Sequence, residues 1–79
     1  MKVIYRQFPE GDAIALFPDT IWDSNGNIAS YQKVGQHGGA SPDLVNVLEP
    51  ATEQQVTELS AELMRAGYRL KHDVQIFEE

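Results

Sequence analysis

The sequence predicts an α+β domain: a single antiparallel or mixed sheet of about four to five strands, with one α-helix over about residues 53–66 packed on one face. Three observations carry that expectation. Up to about residue 34, short β-branched and aromatic runs alternate with turn residues. Thr52 then opens an amphipathic segment with the signature of a capping box, and the C-terminal stretch returns to a period of two.

The elements follow in order. "KVIYRQF" has strand composition, and "PEGD" after it supplies Pro9 to pre-set a turn dihedral and Gly11 to take positive φ, the signal of a hairpin. "AIALF", residues 13–17, is a short apolar strand that Pro18 is expected to end by removing a ladder donor. Asn25-Gly26 marks a second hairpin, with Ile21 and Trp22 on one side and residues 28–34 on the other. Residues 35–43, "GQHGGASPD", read as a connection whose glycines serve backbone geometry. "DLVNVLEP" is apolar on both alternating faces, so it reads as a buried strand closed by Pro50.

In the helix, Thr52 caps and Gln55 reaches back, with Glu53 at the positive end of the dipole. Val56, Leu59, Ser60 and Leu63 share the inward face, Glu58 and Glu62 point away, and Arg65 closes the last turn. Gly67 suits the left-handed residue past the helix end. In "YRLKHDVQIF", Tyr68, Leu70, His72, Val74 and Ile76 alternate with polar residues as a half-buried strand. A helix of about 14 residues is roughly 21 Å long and covers one face of such a sheet, which leaves the other open to water, a partner or a second copy.

Composition bounds the function. The chain of 79 residues, 42% hydrophobic and 23% charged, is expected to be one domain, 1–79, with ordinary globular balance. Having no cysteine, it lacks disulfides and thiolate metal sites, which fits a reducing compartment. It also has no apolar run long enough for a signal peptide or a membrane span, so a soluble, cytoplasmic protein is expected. The net charge of −6 opposes nonspecific binding to nucleic acid and to anionic lipid.

The residues that could carry chemistry are few. His72 falls on an inward strand position and reads as a packed histidine. His37 sits among glycines, but "GQHGG" is not in the strand-then-helix setting of a phosphate-binding loop, and two histidines without cysteine fit no zinc spacing. No metal or cofactor is expected. None of Ser24, Ser30, Ser41 and Ser60 stands in a G-x-S-x-G elbow, while Asp19 and Asp23 read as solvated strand ends.

The segments "VIYRQF…IALFP" and "SYQKVGQHG", with "PAT" leading into a helix that ends in "GY", resemble a family of small uncharacterised proteins of bacteria, their phages and plasmids. The resemblance covers Val3 to about Leu70 and implies a possible mobile-element origin, but no reaction, cofactor or ligand.

The first expectation is therefore a non-enzymatic accessory protein acting by protein–protein contact or self-association. Its contact residues would be Phe8 and Tyr31 on the helix-free sheet face, with Gln36 and His37 in the loop. The second is a nucleic-acid-binding module using Lys2, Arg6, Arg69 and Lys71 on that face. An enzyme with His37 as general base ranks third, for want of a partner acid or serine.

Overall fold

The computed structural model describes residues 2–33, 35–67 and 71–72, the last two by their backbone alone. The elements are β1 (Lys2–Gln7), β2 (Ala13–Ile21), β3 (Ile28–Gln32), β4 (Gln36–Ala40), α1 (Leu44–Val47), β5 (Glu49–Pro50), α2 (Glu53–Arg65) and β6 (Lys71–His72). Three hairpins make an antiparallel meander that β5 extends, in the order β4-β3-β2-β1-β5, while β6 pairs parallel with β1. The α+β class, the single sheet and the one main helix are as the sequence predicts. The remainder of the expected last strand lies outside the described residues.

Local chemistry accounts for the turns. Gly11 takes φ 105°, and Phe8 N–H closes the first turn on the Asp12 carbonyl at 2.8 Å. In the second, Gly26 takes φ 89°, and the Asp23 carboxylate accepts from the Asn25 and Asn27 amides at 2.9 and 3.3 Å and from the Asn27 side chain at 2.9 Å. Those bonds, the Asn27 side chain first, hold the Asp23 carboxyl below its ordinary pKa. The capping box is complete: Thr52 Oγ1 accepts from Gln55 N–H at 3.2 Å, and Gln55 Oε1 accepts from Thr52 N–H at 2.8 Å.

Four expectations need correction. Pro18 does not end β2; the strand runs on to Ile21 because the pairing with β3 shifts register between Phe17 and Ile21, and such an irregularity accommodates a residue without N–H. Residues 36–40 are a strand, since Gly35 at φ 73° fills the left-handed position of a three-residue turn and sends the chain back along β3. "DLVNV" forms a helical turn. Ser41 Oγ accepts from Asp43 N–H at 3.2 Å, and Leu48 N–H reaches the Leu44 carbonyl at 3.1 Å. Finally, Glu58 and Glu62 turn toward the third hairpin, as described below.

The sheet is covered on both faces. On one, Val3, Tyr5, Ala15, Phe17 and Tyr31 pack with Val56, Leu59 and Leu63 of α2 and with Ala51. On the other, residues 41–48 cross from β4 to the far edge and place Leu44, Val45 and Leu48 against Ile14, Leu16, Ile28, Ala40 and Phe8. The helix-free face of the sequence reading is thus closed by α1. Tyr31, expected on that face as a contact residue, is only 4% exposed. Among the described residues no helix is long and apolar enough to cross a membrane.

Candidate functional site

The third hairpin brings together the exposed and chemically distinctive parts of the molecule. Tyr31 stands at its centre. The Tyr31 hydroxyl donates to Glu62 Oε1 at 2.5 Å and accepts from Gly35 N–H at 3.1 Å, while the His37 ring meets the Tyr31 ring edge-on at a centroid distance of 4.9 Å. Lys33 Nζ lies 2.9 Å from Glu58 Oε1. These contacts tie the turn to α2. The bond to Glu62, then burial, raises the Tyr31 pKa above its ordinary value, so the phenol stays neutral and is not an activated nucleophile. The Lys33–Glu58 pair raises the one pKa and lowers the other.

Tyr31 and His37 are register partners on the α2 face; Ser30 and Gly38 are partners on the α1 face. There Ser30, which is buried, donates from Oγ to the Gly38 carbonyl at 3.0 Å. Beside Gly38 runs an open groove of about 690 Å³, whose walls include the amides of Gln32 and Gln36, the Ser41 hydroxyl and the apolar Phe8, Ile14 and Leu44. Among the described residues its lining carries no carboxylate and no Lys or Arg. A smaller hollow of about 400 Å³ lies between Pro9 and Leu48, and Phe8 borders both.

The two glycines of β4 differ. A Cβ at position 39 would collide with Trp22 Cδ1 and stand 3.0 Å from Nε1, so glycine at 39 leaves the room that the indole occupies against the strand. A Cβ at Gly38 would meet nothing within 4 Å, and its φ is one that any residue adopts. Nothing among the described residues needs glycine there, although glycine inside a strand costs about 0.5–1 kcal/mol relative to alanine. An unforced strand glycine marks a place where another backbone or a ligand comes close.

Of the expected contact residues, Gln36 and His37 are exposed on β4, Phe8 is half-buried at the groove wall, and Tyr31 is withdrawn. Tyr31 cannot face a partner from the α1 side, because its position in β3 turns it under α2. The expected basic cluster is only partly assembled. Lys2 and Lys71 are register partners, but Arg6 donates from Nε to the Val45 carbonyl at 2.9 Å and from a guanidinium nitrogen to Tyr5 O at 3.1 Å, holding α1 in place. Arg69 lies outside the described residues. Sequence reasoning missed Glu62, Trp22 and Gly38; a helix-face count leaves Glu62 outward, and only pairing register reveals the other two. Among the described residues no three His, Asp or Glu side chains converge on a metal position. Comparison with family models, with curated proteins and with solved structures returns no match, so the functional reading rests on this geometry.

Proposed function

We propose that this chain is a non-enzymatic binding module that docks a protein partner on its third hairpin, with Gln36, His37 and Phe8 at the contact. The observation that supports the reading most is Gly38, an unforced glycine in a groove whose described lining includes no Asp, Glu, Lys or Arg. Amide and hydroxyl groups beside apolar walls suit the alternating polar and apolar surface of a polypeptide, whereas a phosphate or carboxylate ligand would call for Lys or Arg, which the described lining lacks. The neutral, hydrogen-bonded Tyr31 serves here as a brace.

The test is proximity labelling in cells with wild-type protein, with Gly38→Lys, and with Gln54→Lys on the exposed side of α2 as control. Proteins labelled by the wild type and the control should be lost with Gly38→Lys, provided that all three give the same circular dichroism. An unchanged set of proteins refutes the reading.

One observation favours the nucleic-acid alternative, the side-by-side placement of Lys2 and Lys71 on the β1 edge. Titration of single-stranded DNA and RNA over a salt series decides it, because phosphate contacts must weaken steeply as salt rises.

A further inference from the structure

Resting on the docking reading above, we infer that the partner at β4 is a second copy of this chain, added edge to edge as an antiparallel strand about a two-fold axis through Gly38. β4 ends the sheet, and among the described residues no strand pairs with its outer side. The opposite edge is managed differently: β5 is two residues long and closes with Pro50, and β6 pairs with Lys2 and Val3 of β1. Short strands, proline and charge are how an edge is kept from pairing. Gln36–Ala40 has none of these devices: it contains no Asp, Glu, Lys, Arg or Pro, and its pairing with β3 runs without a bulge.

The strand is complementary to itself. Reversed about Gly38, each larger side chain meets a small one, with Gln36 opposite Ala40, His37 opposite Gly39 and Gly38 opposite Gly38. Two chains of net charge −6 thereby meet along a stretch without acidic residues. With no side chain at position 38 the central pair of the two strands meets without crowding, and the isologous contact closes, leaving no edge free at β4. The axis also places His37 of one copy opposite the glycine that carries Trp22 of the other. That makes the single tryptophan of the chain a reporter.

A contact of one short strand from each copy is small, so the dimer is weak, with Kd on the order of 10–100 µM. Sedimentation equilibrium from micromolar to millimolar protein should show the mass rising toward twice 8.8 kDa, with Trp22 emission changing over the same range. Residue 38 faces itself across the axis, so Gly38→Glu and Gly38→Lys should each weaken association at least tenfold. An equimolar mixture of the two should recover it to within about threefold of the wild type.

A wild type that stays monomeric at millimolar concentration overturns the inference, and so does a dimer that ignores both variants or one that mixing fails to restore. Should the variants not fold, amide exchange on the wild type decides. Protection confined to Gln36–Ala40 must rise with concentration, and its failure to do so equally overturns the inference. A monomer whose labelled proteins still depend on Gly38 leaves the docking reading standing with a different partner; a dimer with an unchanged labelling set does the reverse.

Discussion

Two tyrosines in one core should respond to the same substitution with opposite signs. Tyr5 is fully buried, and its hydroxyl has no hydrogen-bond partner among the described residues. Burial pushes the Tyr5 phenol up to about 12, and the neighbouring Ser60 hydroxyl, which donates to the Thr57 carbonyl at 3.2 Å, offsets only part of that rise. A buried polar group left without a partner costs about 1–3 kcal/mol. Tyr5→Phe removes the hydroxyl and keeps the ring, so stability should rise by about 1 kcal/mol. Tyr31→Phe removes a donor to the Glu62 carboxylate and an acceptor for Gly35 N–H. A hydrogen bond to a charged group contributes about 1.5–3 kcal/mol, but Glu62 is half-buried and Gly35 exposed, so water recovers part of it and a loss of about 1–2 kcal/mol is expected. Urea unfolding followed by circular dichroism measures both. With an m-value of about 1 kcal/mol/M the midpoints should move apart by about 2–3 M, the Tyr5 variant upward. A Tyr5→Phe midpoint below that of the wild type would refute the reasoning, because it would mean that the hydroxyl is satisfied in the fold.

The same phenol predicts alkaline behaviour. The unfolded tyrosine ionises near 10 and the folded one at about 12, so stability is full below pH about 10 and falls by about 2–3 kcal/mol as pH rises to about 12; Tyr5→Phe should flatten that slope. Gly39→Ala should displace the indole, shifting Trp22 emission to the red and costing about 1 kcal/mol, whereas Gly38→Ala should leave monomer stability level or raise it by about 0.5–1 kcal/mol in thermal unfolding of dilute protein. Thr52→Ala breaks the capping box and should cost about 1 kcal/mol by urea titration, with Thr52→Ser retaining most of the stability.

What was legible in the sequence is what short-range chemistry dictates. Gly11 and Gly26 had to supply positive φ for turns between apolar strands, and Thr52, Gln55 and Gly67 had to begin and end a helix whose buried side is Val56, Leu59, Ser60 and Leu63. Each is a local demand that few residue types meet, so the class of fold and the main helix follow from residue order alone. The exposed Gln36 and His37 were found as well, though as parts of a loop.

The tertiary structure decided the rest. "QHGGA" has poor strand propensity and becomes one because β3 offers a ladder, Ser30 a hydroxyl and Trp22 a cover. "DLVNV" satisfies both a period of two and a single helical turn, and the need to cross from the β4 edge to the β1 edge over an apolar sheet chose the turn. Whether Tyr31 faces a partner or a helix depends on one residue of register, since a strand alternates its faces at every step. Register is a long-range property set by how three hairpins stack, and with it came the buried Tyr31, its bond to Glu62 and a β4 edge that no described strand pairs.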